Sequence, residues 1–405
     1  MPEPELILPE RLSETLSDVD GDVDSLPEAA QLQNPDSHIN VNAYGGLAGD
    51  RHHTLSEQVV TARVWRVLNE HKGQKHGMDL PSEYEDVLPD YRRTLRSLDY
   101  LQTEYGLSAT EATSVFLSDV ARDEMGGGML NTAITMATVG GNNVQVHGFG
   151  VADSVLMAQY LVDNGVIPRL EKGRPTESMI IDLPDDRIAF VLRNKQVSTK
   201  AAVEGIQEVK PKLVTVSSVG GDMELFTSII EEAKSVGATV SVNMGYKEIR
   251  QIEKYRDKLA LVDLLTSDEK EATEILSVLG VSVDNPTLQQ LASFISKAVC
   301  QVESNGLVVV SSGPEGLAYS QDKGKQVGEM PADFVPEEEF ESSLGGGDGA
   351  HARLALGRAK GESPEVAAKG AVSVGAAVVK RRESHLVRRP NGNNGGGKKL
   401  WTPRS

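Results

Sequence analysis

The sequence predicts an α/β protein built on a mostly parallel sheet covered by helices. Three observations predict it. From about residue 126 onward, short apolar strand patterns alternate with helical patterns at the spacing of βα units. Two glycine runs, Gly126-Gly127-Gly128 and Gly345-Gly346-Gly347, each open a helical pattern. The 405 residues, 39% of them apolar, suffice for one large domain with insertions or for two domains.

In chain order, residues 1–37 read as an acidic tail with no packed structure. They hold ten acidic residues against one basic residue, Arg11. The run Asp18 to Asp24 fails as a calcium loop, because Val23 stands where the sharp turn needs glycine and Ala29 where a closing glutamate belongs. His38 to Tyr44 alternates like a short strand and turns at Gly45-Gly46. Residues 55–125 read as amphipathic helices, through Val59, Val60, Val64 and Val67, then Leu95, Leu98 and Leu101, then Ala109 to Val120. Domain organisation follows: tail 1–37, strand plus helical insertion 38–125, α/β core 126–385 and a basic Gly/Asn-rich tail 386–405.

In the core, Asn143–Gly148 is a strand and Val155–Asn164 a helix. Met179–Leu183 and Ile188–Leu192 are strands joined by Pro184-Asp185-Asp186, hence a hairpin. Strands at Leu213–Val216, Thr239–Val242, Leu261–Leu265 and Leu307–Val310 then alternate with helices near 222–236, 269–278, 286–300, 349–360 and 364–380. In such sheets ligands sit beyond the carboxyl ends of the strands.

Composition narrows the function. One cysteine, Cys300, cannot build a disulfide framework, so a reducing, cytoplasmic setting is expected. There is no apolar run long enough to span a membrane, and the acidic start does not resemble a secretory signal. The net charge of −18 disfavours nucleic acid as a partner of the body. Residues 380–405 carry eight basic residues and one acidic, and read as a solvated tail. His52, His53, His71 and His76 have no zinc-like spacing and read as surface histidines.

Four constellations could carry chemistry. Gly345-Gly346-Gly347-Asp348 opens a helix: its unpaired amides and the positive helix end can form an anion cradle with Asp348 beside it to accept a proton from a hydroxyl, or the run is simply a flexible turn. Gly126-Gly127-Gly128 leads to Asn131, which offers a donor and an acceptor to a ligand, or simply caps a helix. Asp268 and Glu271 follow a strand three residues apart; they can hold Mg²⁺ mostly through water, or form an ordinary N-terminal cap. Val308 to Gly316 is a buried strand running into a tight turn, whose Ser311 and Gly313 could touch a nucleotide or make a plain hairpin.

In this order, these elements resemble the ribokinase-like (PfkB) carbohydrate kinases over roughly residues 120–385. The matching pieces are Gly127-Gly128…Asn131, Pro175-Thr176 leading to the hairpin closed by Arg187, Asp268…Glu271, Ser311-Ser312-Gly313, and Ser342 to Asp348. The resemblance implies a three-layer α/β/α sandwich with a small β lid, here the hairpin near 175–195. It implies a phosphotransferase acting on a hydroxyl of a sugar or related small molecule. Asp348 would be the base, the amides of Gly345, Gly346 and Gly347 the anion hole, and Asp268 and Glu271 the Mg²⁺ residues. Ser311, Gly313 and Gly316 would contact the nucleotide, ATP or ADP. Gly127, Gly128 and Asn131, with Asn42 of the early strand, would bind the acceptor. It also implies pairing of two copies through the lid.

This chain departs from the family pattern at several points. Ser342 stands for the first aspartate of the last motif, Gly346 for alanine, and Asp268 for the usual asparagine. The early strand offers Asn40 and Asn42 rather than the family's sugar-binding aspartate. An Asn-x-Asn strand and a long insertion are similar to the ADP-dependent sugar kinases. The competing expectations are therefore an ADP-dependent sugar kinase and a catalytically inactive binding or regulatory protein of the same fold. A dinucleotide oxidoreductase is disfavoured, because no Gly-x-Gly-x-x-Gly lies between a first strand and its helix.

Overall fold

Alternating side chains along each strand set two opposite faces, and in this chain the two faces differ in chemistry. The computed structural model describes residues 39–55, 57–79, 89–117, 121–140, 143–150, 154–172, 176–183, 187–193, 197–299, 306–342 and 344–381. The acidic segment 1–37, Cys300, the turn at Pro184 to Asp186 and the tail 386–405 lie outside the described residues.

The described residues form two compact units. The larger takes residues 39–46, 128–172 and 197–381. Its strands are β1 (Asn40–Tyr44), β5 (Asn143–Gly150), β6 (Val166–Lys172), β9 (Leu213–Val216), β10 (Thr239–Asn243), β11 (Leu264–Asp268), β12 (Leu307–Ser311), β13 (Leu317–Gln321) and β14 (Gln326–Met330). They make one sheet in the order β14-β13-β12-β11-β10-β9-β1-β5-β6. Pairing is parallel from β12 across to β6, while β13 and β14 run antiparallel at one edge.

One face of that sheet is apolar. Val214, Val216, Val240, Val242, Leu265 and Val308 join a single core with the helices α6 (Thr199–Val209), α7 (Met223–Ser235), α10 (Glu269–Val278) and α11 (Leu288–Val299). Two four-residue helices, α8 (Tyr246–Ile249) and α9 (Arg256–Leu259), extend the same layer. The intervening strand residues Thr215, Ser241 and Thr266 point the other way, towards α12 (Gly346–Ala359). On that side α12 packs with α4 (Gly128–Gly140) and α13 (Pro364–Val379), giving the expected α/β/α sandwich. Helix α5 (Ser154–Asp163) packs beside β5 and β6.

Helices α12 and α13 meet around a buried ion pair. Arg353, 1% exposed, donates to both carboxylate oxygens of Glu362, at 2.6 and 3.2 Å. The guanidinium lies in a notch left by two glycines: a methyl at Gly370 would come within 2.5 Å of Arg353 Nε, and one at Gly357 would collide with Glu362 and Arg353.

The smaller unit takes residues 47–127 with the hairpin strands β7 (Thr176–Asp182) and β8 (Arg187–Arg193). Its sheet runs β3-β8-β7-β2-β4, with β2 (Ala48–Thr54), β3 (Lys75–Asp79) and β4 (Ala121–Gly126) supplied by the N-terminal stretch. Helices α1 (Ala62–Glu70), α2 (Pro89–Thr103) and α3 (Ala109–Phe116) share a core with this sheet through Val64, Leu68, Leu101, Val115, Ile181 and Phe190. The expected boundaries therefore shift. Strand β1 belongs to the larger unit, and the expected lid hairpin pairs with β2 along seven register positions. Two strands interrupt the segment 55–125 read as helices only, because KHGMD and ARDEMG carry no alternation and pairing decides their conformation; β2, AGDRHHT, lies just before it.

The histidines expected at the surface are also corrected. His52 and His53 are 1% and 4% exposed, on a strand inside the small sheet. His76 lies half-buried between the hydroxyls of Tyr100 and Tyr105, at 2.8 and 2.6 Å. Among the described residues, no helix is long and apolar enough to cross a membrane.

Burial lowers the imidazole pKa of four histidines: His53, His76 and His351 to about 4, and His147 to about 3. Arg51, Arg93 and His52 add to the effect at His53, His71 at His76 and Arg169 at His147. A folded pKa below the unfolded one means that the unfolded chain binds protons first as pH falls. Stability is therefore flat above about pH 6.5 and declines from there towards pH 4. His147→Gln should flatten that decline by about 1.4 kcal/mol per pH unit, measured by urea unfolding between pH 7.5 and 4.5. Glu362→Ala, which strands a buried guanidinium, should cost about 3–5 kcal/mol in the same measurement.

Candidate active site

Parallel strands end on one side of a sheet, so β1, β9, β11 and β12 deliver their following residues to one edge of the larger unit. At that edge the chain turns at Gly45 after β1 and leaves β9 at Ser217, whose amide donates to the Tyr44 carbonyl at 2.9 Å. A methyl at Gly45 would lie 3.1 Å from the Cβ atoms of both Met129 and Ser217, so β1, β9 and the start of α4 press together here.

The last glycine run sits at the same edge. Gly345 caps α12 in the left-handed conformation, φ 75°, where a side chain is strained. Gly346, Gly347 and Asp348 form the first turn, in which amides have no carbonyl a turn behind them to bond. The glycines divide the work. Gly346 backs onto Val379, its added methyl 3.0 Å from Cγ1, so it serves the packing of α12 on α13. A methyl at Gly347 would meet nothing within 4 Å, and the residue is exposed: this is the open amide of the run. Ser342 Oγ accepts from the Leu344 amide at 3.1 Å, so the residue standing for the family aspartate closes a short turn into the run.

Asp348 is the meeting point. Asn131 Nδ2, on the first turn of α4, donates to Asp348 Oδ2 at 3.0 Å. A Cβ at Gly128 would lie 2.9 Å from Ser217 Oγ and 3.2 Å from Asp348 Oδ1. Gly128, Asn131, Ser217 and Asp348 thus share one small space. Gly127, at φ 96°, makes the turn into α4. The structure brings Gly128, Asn131 and Asp348 together, and Ser217, which the sequence reading did not single out, stands with them.

Asn42 is not brought to this group. It is fully buried, and its Nδ2 donates to Tyr44 Oη and to the Gly205 carbonyl, both at 3.2 Å. The alternation of β1 turns it towards α6, so its expected acceptor-binding role is replaced by a packing role.

Asp268 and Glu271 form a capping box on α10. Asp268 Oδ1 accepts from the Glu271 amide at 2.7 Å, and Glu271 Oε2 accepts from the Asp268 amide at 3.0 Å. Burial raises the Tyr246 pKa to about 12, with further increments from Asp268, Glu271 and Glu274, so negative potential gathers at this strand end. Among the described residues, no three His, Cys, Asp or Glu side chains gather as a metal cage. An ion that arrives with a nucleotide keeps most of its waters and needs only one or two carboxylates. The exposed Asp268 beside Glu271 fits that kind of ion.

Next to it, Ser311 pairs in register with Asp268, and Ser312 Oγ donates to Glu269 Oε2 at 2.7 Å. The following turn is a hairpin, held by the Ser312 amide on the Gly316 carbonyl at 2.9 Å. Gly316, at φ 91°, presses against the Met330 carbonyl and admits no side chain. Ser311, Gly313 and Gly316 therefore stand one strand from the acidic pair, on a turn whose shape their own hydrogen bonds fix.

Comparisons with known proteins agree with the fold. No curated protein matches the chain. A probable sugar kinase from Rhizobium etli CFN 42 is similar in fold, with a TM-score of 0.61 and 15% identity over 86% of this chain and 95% of that one. Adenosine kinase from Schistosoma mansoni, in complex with 2-fluoroadenosine, is similar with a TM-score of 0.64 and 11% identity over 86% and 97%. Phosphofructokinase-2 from Escherichia coli, with potassium, is similar with a TM-score of 0.56 and 16% identity over 86% and 95%. The model of the pfkB family carbohydrate kinases matches residues 99–388, most of the chain. By that match, and with a sandwich that carries its glycine run and aspartate at the carboxyl edge, the chain belongs to the pfkB family of carbohydrate kinases.

Proposed function

We propose that the chain transfers the terminal phosphoryl group of ATP to a hydroxyl of a sugar or sugar-bearing small molecule. One observation carries the reading: the Asp348 carboxylate is held by Asn131 beside the exposed first-turn glycine of α12. Asp348 takes the proton of the acceptor hydroxyl as that oxygen forms its bond to phosphorus. The bond from phosphorus to the bridging oxygen breaks, and the nucleotide leaves one phosphate shorter. The amides of Gly345, Gly346 and Gly347, at the positive end of α12, face the charge on the transferring group.

Asn131 and the space at Gly128 position the acceptor, with Ser217 Oγ as a further polar group at that wall. Ser311, Gly313 and Gly316 meet the nucleotide. Asp268 and Glu271 would hold Mg²⁺ through water, and the ion would neutralise phosphate charge. Ser342 keeps the turn into the glycine run closed through Leu344, which supports an active enzyme over a silent one.

Asp348→Asn should lower turnover by about 10²–10⁴-fold and leave nucleotide affinity within a few fold, read by a coupled assay and calorimetric titration. Wild-type turnover in that variant would refute the assignment. Gly128→Ala places a methyl between Ser217 and Asp348. It should raise the acceptor KM and lower kcat by about tenfold, with the donor KM unchanged. Assaying ATP and ADP side by side over a sugar and nucleoside panel tests the donor, and turnover with ADP alone would replace ATP in this reading.

A further inference from the structure

Asp348 is only as well placed as the helix that carries it, and one side chain on that helix is bonded to three strands at once. His351 lies on α12 one turn beyond Asp348 and is 1% exposed. Its Nε2 faces Thr215 Oγ1 of β9 at 3.0 Å and Ser241 Oγ of β10 at 3.2 Å. Its Nδ1 faces Thr266 Oγ1 of β11 at 2.7 Å. The hydroxyls of Thr215 and Ser241 are on residues fully removed from solvent. The ring is buried, so neither nitrogen turns to water, and Thr215 and Ser241 each stand between two valines of their strands.

We propose that His351 is a positioning residue for phosphoryl transfer, fixing the height and rotation of the first turn of α12, and with it Asp348 and the glycine amides, relative to β9, β10 and β11. The proposal rests on the reading of Asp348 as the base. The rotation argument is geometric. Asp348 and His351 are three residues apart and therefore on neighbouring positions of one helix face. A helix held by apolar contacts alone slides and rolls with little cost, whereas bonds to three different strands fix both freedoms. The ring suits the task because a neutral imidazole offers one donor and one acceptor on opposite sides. Burial keeps the ring neutral, its pKa lowered to about 4, and no charged group contributes to that shift. His351 touches neither nucleotide nor acceptor and exchanges no proton with them.

The test compares His351→Leu, His351→Gln and Thr266→Val with Glu362→Gln, which loosens the α12–α13 contact at Arg353 without touching the ring's hydrogen bonds to β9, β10 and β11. His351→Leu should lower kcat roughly 10- to 100-fold, as misplacement of a base by about an ångström does, while the donor KM stays within twofold. His351→Gln, which keeps a donor and an acceptor, should recover part of kcat. Thr266→Val, a milder change that serves if His351→Leu does not fold, should lower kcat several-fold. Glu362→Gln should lower the melting temperature with kcat near wild type at temperatures where it is folded. A His351→Leu enzyme with wild-type kcat, or a kcat loss in Glu362→Gln equal to that in His351→Leu, overturns the proposal. Hydrogen exchange on Thr266→Val provides a readout independent of phosphotransfer. The amides of residues 346–350 should exchange faster by more than the change in global stability accounts for, and unchanged protection there overturns the proposal even if the wild-type protein phosphorylates no compound in the panel. Absent phosphotransfer with lost protection refutes the kinase reading and leaves the positioning role standing.

Discussion

The hydrogen bond from Asn131 to Asp348 joins the beginnings of two helices that lie 217 positions apart in the chain. Nearly everything else in the larger unit is arranged so that this bond can form. The parallel sheet brings β1 and β9 to one edge, Gly45 lets them close on α4, and Gly128 leaves the space in which Ser217 and Asp348 face each other. A side chain at either glycine would push apart residues that the site needs within a few ångströms.

The sheet separates two tasks by face. Its α7 and α10 side is apolar and supplies the bulk of the burial that offsets the entropy of ordering the chain. Its α12 side carries polar groups at fixed places, the three hydroxyls and the buried Arg353–Glu362 pair between α12 and α13. Polar groups in such a setting add little net stability, because their desolvation cost is large. What they add is a single arrangement, since any shift of α12 leaves a buried donor or acceptor without a partner.

The alternation of strands and helices after residue 200 was legible because those strands are buried on both faces and read as apolar runs. Leu213–Val216 is found at its predicted bounds, and the helices 269–278 and 364–380 within a residue. The smaller unit was legible only in its helices and hairpin. Strands such as Lys75–Asp79 are polar, and pairing with β8 rather than their own pattern makes them strands. At the site, Gly128, Asn131 and Asp348 were placed at helix starts by sequence, and the contact between the two starts, 217 positions apart, was not. Asn42 misled, since a polar residue in an early strand can equally serve a helix packed over it. Ser217 and His351 escaped because their meaning comes from neighbours distant in sequence. A serine after a strand or a histidine inside a helix has no local pattern to mark it.

The order of β1, β9, α4 and α12 in the chain has a consequence for synthesis. The first strand of the larger unit sits inside its sheet, flanked by β5 and β9, so a nascent polypeptide can cover one edge of β1 once β5 is made but must leave the other open until β9, past residue 210, has been made. Closure of the α4–α12 junction comes later still, after Asp348 has left the ribosome. Contacts this remote are slow to form and leave strand edges open meanwhile. The open β9-facing edge of β1 is the part of the half-made chain most exposed to wrong strand pairing during that interval.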